Sequence, residues 1–146
     1  MLSSAFLSNT DSSICPSDEL LNAIKVIVVS EGIFDIDALL VRFPGYREWF
    51  IESAFGACDS YAQFSTLNYS LRATSSSSIS WLVLHSKGDT LVDQGQSDAM
   101  FAHLLNISGP QVVAINTEDL KEEHNAILVT DTYAHLVKDF ISKHLQ

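Results

Sequence analysis

Residues 25–30, KVIVVS, form an apolar run without polar alternation, and this run decides the predicted fold class. Strands of parallel sheets are covered on both faces and therefore have near-continuous runs of β-branched and other apolar residues. Two later stretches, residues 79–85 (ISWLVLH) and 111–115 (QVVAI), have the same character. The sequence therefore predicts about three strands of a parallel sheet.

Amphipathic or capped segments separate these strands, as expected for helices that cross between parallel strands. A short helix is predicted to begin near Ser17, where a hydroxyl residue precedes acidic residues. Pro44 and Gly45 interrupt the helical pattern of the region after the first strand. Two short helices are predicted at 35–42 and 46–55, and two longer ones at 93–107 and 127–145. This alternation predicts an α/β fold with a parallel sheet and flanking helices, and residues 56–78 are interpreted as a connection outside the core.

The chain has 146 residues, 47% of them hydrophobic, which suits one folding unit with a single core. The Ser-rich segment 1–16 is predicted to be poorly ordered, and residues 17–146 to form the domain. Three strands are few for a parallel sheet, so the segment 26–29 is expected at an open edge. Such an edge favours association with a partner or a second copy.

The acidic charge balance excludes several partners. The chain has 8 Lys plus Arg and 18 Asp plus Glu, a net charge of −10, so neither nucleic acid nor an anionic membrane surface is an expected partner. Cys15 and Cys58 stand alone, and no His or Cys spacing indicates a metal site. The N-terminus lacks the pattern of a secretory signal or a membrane span. We expect a cytoplasmic protein that binds a small molecule and uses no cofactor.

Asp89 and His124 are the candidate catalytic residues. Asp89 follows the second predicted strand in a turn that contains Gly88, and His124 follows the third. Because ligands bind beyond the carboxyl ends of parallel strands, both side chains are expected at the same edge of the sheet. A carboxylate that accepts a hydrogen bond from one imidazole nitrogen leaves the other nitrogen free to take a proton from a nucleophile. The pair therefore predicts acid–base chemistry.

Phe34 and Val92 lie next to predicted strand ends and are candidates for lining a substrate pocket, although packing in the core explains their positions as well. The remaining histidines are interpreted as surface or packing residues. His103, His135 and His144 fall within predicted helices, and His85 ends a strand.

Two segments, HSKGDTLVDQGQSDAMFAHL and EEHNAILVTDTYAHLVKDFI, resemble the C-terminal third of an α/β-hydrolase. Within that superfamily, VIVVSEGIFDIDALLVRFPGYREWFIESAF resembles fungal kynurenine formamidases, also called arylformamidases. The likeness covers roughly residues 20–146. It implies a partial α/β-hydrolase domain that hydrolyses N-formyl-L-kynurenine to kynurenine and formate through a serine acyl-enzyme, without metal or organic cofactor. In this resemblance Asp89 is the triad acid and His124 is the triad base.

The chain departs from that pattern in two respects. The 146 residues contain no G-x-S-x-G nucleophile elbow and no His-Gly-Gly segment of the kind that supplies oxyanion-hole amides. We therefore expect a truncated hydrolase with at best very low activity alone. Two alternatives stay open at this point: a non-catalytic remnant that serves as a binding module, and an ester hydrolase or peptidase of the same fold.

Overall fold

The computed structural model describes residues 6–8, 16–72 and 79–145. Five strands and five α-helices lie within these ranges, together with one π-helical segment and short 3₁₀ turns. In chain order, the elements are β1 (Leu7–Ser8), α1 (Asp18–Ala23), β2 (Val26–Ser30), α2 (Ile36–Arg42), the π-helix (Arg47–Ile51), α3 (Glu52–Phe55), β3 (Ser70–Leu71), β4 (Ser80–Leu84), α4 (Gln94–Ser108), β5 (Val113–Asn116) and α5 (Asp131–His144).

The main sheet has three strands in the order β2-β4-β5, and both strand pairs are parallel. Val28 pairs with Leu82, which in turn pairs with Ala114. The predicted α/β fold with three parallel strands and flanking helices is confirmed. The two-residue strands β1 and β3 form a separate antiparallel pair.

Strand β4 is central, and all five of its residues are buried. Alternate side chains of a strand point to opposite faces of the sheet. Trp81 and Val83 accordingly pack with Met100 and Leu104 of α4, whereas Leu82 and Leu84 pack in a second cluster that includes Phe140 of α5. One helix therefore covers each face. The residues of β2 are only partly buried, and among the described residues this strand pairs with β4 alone.

The capping residues define the helix boundaries. The side chain of Ser17 accepts a hydrogen bond from the amide of Leu20, as predicted, and Asp35 caps α2 in the same way through Ala38. The predicted break at Pro44 and Gly45 is also present, but the following segment begins as a π-helix. The predicted helix 127–145 was wrong in its start, because a 3₁₀ turn at Ala126–Val129 precedes α5.

The interpretation of residues 56–78 as a connection outside the core was wrong for its described part, residues 56–72. Tyr61 is fully buried and joins a third apolar cluster that contains Ile36, Leu40 and Ile51. Its amide donates a hydrogen bond to Asp37. These residues are held by individual hydrogen bonds and irregular aromatic packing, so the segment has no sequence period that could reveal its burial. Residues 73–78 lie outside the described ranges.

Most of segment 1–16, for which poor order is predicted, lies outside the described residues. Within its described part, Leu7 is fully buried and pairs with Leu71. Among the described residues, none of the helices has the length and apolar character needed to cross a bilayer.

Candidate active site

Asp89 and His124 meet at the carboxyl ends of β4 and β5. The His124 Nδ1 atom lies 2.8 Å from Asp89 Oδ2, a hydrogen-bond distance. The two residues are on different loops, residues 85–93 after β4 and residues 117–125 after β5. The parallel sheet brings the two loops together because its strands end at the same edge.

The backbone of its own turn holds the Asp89 carboxylate. The Oδ1 atom accepts hydrogen bonds from the amides of Leu91 at 2.8 Å and Val92 at 3.0 Å, which is the local turn geometry that Asp favours. This leaves Oδ2 for His124. The Asp89 side chain is fully buried, so its orientation is fixed by these contacts and not by solvent.

The loop that carries Asp89 packs tightly against the loop that carries His124 at Gly88. A Cβ atom at Gly88 would lie 2.2 Å from the Lys121 carbonyl oxygen and 2.7 Å from that of Glu122. The Ser86 hydroxyl also donates a hydrogen bond to the Glu122 carbonyl. Only a residue without a side chain allows this approach, so Gly88 is needed for the proximity of Asp89 and His124.

The His124 ring is oriented by its contact with Asp89. When its Nδ1–H donates to Asp89, the neutral ring has an unprotonated Nε2, which is the state required of a general base. Among the described residues, Nε2 has no hydrogen-bond partner. The side chain is 20% exposed and lines a cavity. His124 is thus reachable from the cavity, whereas the Asp89 side chain is not.

Glu31 is a third ionisable residue at the site, and the sequence analysis did not identify it. It directly follows β2, and its Oε2 atom lies 3.5 Å from His124 Nδ1. Like Asp89 and His124, Glu31 is a polar residue beyond the carboxyl end of a parallel strand, where ligands bind. Its backbone has φ +49°, an uncommon conformation for a residue with a side chain that costs on the order of 1–3 kcal/mol.

The environment of Glu31 changes its ionisation. Burial raises the pKa of the Glu31 carboxyl, and the negative charge of Asp89 adds to the increase. The amide hydrogen bonds from Asn125 and Ser86 and the charge of His124 oppose it without cancelling it. Glu31 therefore binds its proton more tightly in the folded protein than in the unfolded chain.

This pKa shift predicts how stability depends on pH. A carboxyl whose folded pKa is raised stabilises the fold fully below its ordinary pKa of 4.5, and this contribution is lost as the pH rises through the folded pKa. Relative to a Glu31→Gln variant, the wild type should lose stability as the pH increases across that window. Urea unfolding of both proteins at a series of pH values measures the difference.

Asp37 provides the opposite control. Hydrogen bonds from the Ser60 hydroxyl and the Tyr61 amide lower the pKa of Asp37 below 3.8. The contribution of Asp37 to the stability of the fold is therefore lost as the pH falls. The wild type should therefore gain stability with rising pH relative to Asp37→Asn. If the difference in unfolding free energy between wild type and variant changed with pH in the same direction for both variants, the raised pKa of Glu31 would be contradicted.

A cavity of about 550 Å³ opens beside His124 and Glu31. This is within the range typical of small-molecule sites. Its wall is mostly apolar and comes largely from the segment between β2 and β4. The lining residues are Glu31, Ile33, Ile36, Phe50, Ile51, Ala54, Phe55, Phe64, Thr66, Tyr69, Val92 and His124.

The two residues predicted to line a pocket differ in their positions. Val92 lies on the cavity wall. Phe34 does not, because its ring packs in the core cluster beneath Gly32 and is only 4% exposed. Its backbone is anchored as well, with its amide donating to Gln96 and its carbonyl accepting from Ser65. The packing interpretation applies to Phe34, and contact between Val92 and a substrate stays a prediction.

Two serine–histidine contacts lie away from the cavity. The Ser97 hydroxyl is 3.0 Å from His85 Nδ1, and His85 Nε2 is 4.0 Å from Asp89 Oδ2. Both Ser97 and His85 are at most 1% exposed, so a substrate cannot reach that hydroxyl. Ser80 contacts His144 in a similar way at the opposite end of β4. These contacts support packing, as predicted for the remaining histidines.

Glu31, Asp89 and His124 each offer a potential metal-ligating atom, and these atoms lie within 4.8 Å of one another. Two ligands of a tetrahedral zinc ion are about 3.4 Å apart, given zinc–ligand distances of about 2.0–2.2 Å. The 2.8 Å separation of His124 Nδ1 and Asp89 Oδ2 is instead that of a direct hydrogen bond. His124 and Asp89 are therefore hydrogen-bonded to each other in this arrangement.

Comparisons with known proteins gave no relative: no family model matches the chain, and no curated protein or solved structure matches it significantly.

Proposed function

We propose that this chain supplies the acid and the base of a serine-hydrolase-type amidase that cleaves N-formyl-L-kynurenine to L-kynurenine and formate. The observation that carries the proposal is the Asp89–His124 hydrogen bond at the carboxyl edge of a parallel sheet, with His124 on a cavity wall. The proposal requires a nucleophilic serine and oxyanion donors from residues outside these 146, on the same polypeptide or on another.

The roles of the two residues follow from their contacts. His124 Nε2 takes the proton of the serine hydroxyl as the oxygen attacks the formyl carbon, and Asp89 stabilises the resulting imidazolium. The proton then passes to the departing nitrogen, which releases kynurenine. Water attacks the formyl ester in a second cycle assisted by the same base, and formate leaves.

The cavity wall agrees with an aromatic substrate. Phe50, Phe55, Phe64 and Tyr69 contribute to the lining, and aromatic rings favour offset-stacked or edge-to-face contacts with a substrate ring. The polar groups Glu31 and His124 lie at one part of a mostly apolar surface. This distribution suits a molecule with an aryl body and a polar reacting group.

The test is an assay of N-formylkynurenine hydrolysis, in which the absorbance of kynurenine reports product formation. The chain is expressed with the coding sequence that lies in frame upstream of Met1, and the present chain serves as the comparison. We expect activity that requires a G-x-S-x-G serine in the added segment and is abolished by His124→Ala. An upstream sequence without that motif, or an extended protein without activity, would contradict the proposal.

The same assay compares N-formylkynurenine with short acyl esters and peptides. The proposal predicts that the formamide has the highest kcat/KM. A higher value for an ester or a peptide would assign the site to an ester hydrolase or a peptidase of the same fold.

A second candidate function is a non-catalytic binding module. The observation that favours it is that the described residues of this chain alone build the cavity, while none of them bonds His124 Nε2. If this is the function, the chain should bind kynurenine or N-formylkynurenine without turnover. Calorimetric titration of the wild type and of Phe55→Ala tests this, since loss of binding in the variant is expected only if the cavity is the site.

A further inference from the structure

Glu31 lies where the loops that carry the acid and the base meet. Its side chain is only 3% exposed, and its backbone has φ +49°. The other described non-glycine residue with positive φ is Asn125, at φ 64°, directly after His124. The two unusual backbone positions are joined, because the Asn125 amide donates a hydrogen bond to Glu31 Oε2.

The carboxylate of Glu31 bridges both loops. Its Oε1 atom accepts from the Ser86 amide at 3.2 Å, and Ser86 starts the turn whose fourth residue is Asp89. Its Oε2 atom accepts from the Asn125 amide at 3.3 Å and lies 3.5 Å from His124 Nδ1. Each oxygen therefore contacts a different loop, and one of them also faces the proton that His124 donates to Asp89.

We propose that Glu31 is a positioning residue that acts through His124, holding the imidazole against Asp89 so that Nδ1 keeps its proton and Nε2 stays available. Glu31 and Asp89 approach Nδ1 from the ends of β2 and β4, so two carboxylates confine the ring. This inference rests on the proposed role of His124 as a base. Glu31 itself is not assigned contact with the reacting atoms.

The experiment measures solvent exchange of the His124 Nδ1–H proton by NMR on the full chain at neutral pH. Three proteins are compared: the wild type, Glu31→Gln and Glu123→Gln. The last is the matched control, because Glu123 is an exposed carboxylate in the same loop, next to His124. In Glu31→Gln, an amide replaces the carboxylate, and its NH₂ group faces one of the N–H donors that Glu31 now satisfies.

We expect at least about tenfold faster Nδ1–H exchange in Glu31→Gln than in the wild type and in Glu123→Gln, with a folded amide spectrum in all three. Equal exchange rates in Glu31→Gln and the wild type would overturn the inference. Glu31→Asp is measured in parallel. It keeps the negative charge, but its side chain is one methylene group shorter, so the carboxylate lies farther from His124. It should also exchange faster than the wild type, and it decides the question if the Gln variant does not fold.

This readout does not depend on hydrolysis. If the exchange rates follow the expectation but the extended protein has no formamidase activity, the proposed function fails and the role of Glu31 in holding the ring stands. If activity is present but the exchange rates are equal, only the role of Glu31 is lost.

Discussion

Under the proposed function, replacing Asp89 by Asn in the protein extended upstream of Met1 should reduce kcat about 10⁴-fold, the effect typical of this change in serine hydrolases. The Asn oxygen can still accept from the Leu91 and Val92 amides, so the turn persists. Its NH₂ group then faces His124 Nδ1, which must become an acceptor. The ring proton moves to Nε2, and the base can no longer take the serine proton.

The matched control for this prediction is Asp98→Asn. Asp98 is an exposed aspartate on α4, and its side chain contacts Gln94 and no group of the site. It should retain the activity of the wild type within about twofold, since surface changes of this kind have small effects. An Asp89→Asn protein that keeps more than a tenth of the wild-type kcat would show that Asp89 is not the triad acid.

The largest expected effect on stability is that of Gly88→Ala, for which we predict a loss of about 3 kcal/mol in the free energy of unfolding. The added methyl group would meet the backbone oxygens of Lys121 and Glu122 at 2.2 and 2.7 Å. Backbone atoms cannot rotate away as a side chain does, so one of the two loops must move. Urea unfolding of the chain measures the loss.

Gly45→Ala is the control for this substitution, because no atom lies within 4 Å of a Cβ placed at Gly45. Its effect should stay within about 1 kcal/mol, the range of backbone entropy changes for such a replacement. Displacement of the loops in Gly88→Ala should also separate Asp89 from His124. If both variants unfold at the same urea concentration, the close approach at Gly88 is not important for the fold.

The sequence was sufficient to predict the sheet because its strands have continuous apolar runs, which are a strong local signal. Positions 89 and 124 could be predicted for a related reason, since parallel strands place their following loops at one edge. Glu31 satisfied the same rule but stands alone between Ser30 and Gly32, without a sequence feature that marks it as a partner of the other two.

The cavity wall was harder to predict from sequence. Phe50, Phe55 and Phe64 come from short π-helical, α-helical and 3₁₀ segments, and Tyr69 directly follows a 3₁₀ turn. The apolar residues of these segments follow no constant period. Their burial depends on tertiary hydrogen bonds, such as that from the Thr66 amide to the Phe34 carbonyl, which anchor the segment between β2 and β4. The same bonds hold the Phe34 backbone, and the Phe34 ring packs in the core, which is one of the two positions considered for it from the sequence.

The most direct test of the acid–base pair is the tautomer of neutral His124, which the ¹⁵N chemical shifts of its two ring nitrogens report. The 2.8 Å contact between His124 Nδ1 and Asp89 Oδ2 predicts a protonated Nδ1 and an unprotonated Nε2 in the wild type. The opposite tautomer, with the proton on Nε2, would contradict the assignment of His124 as a base held by Asp89.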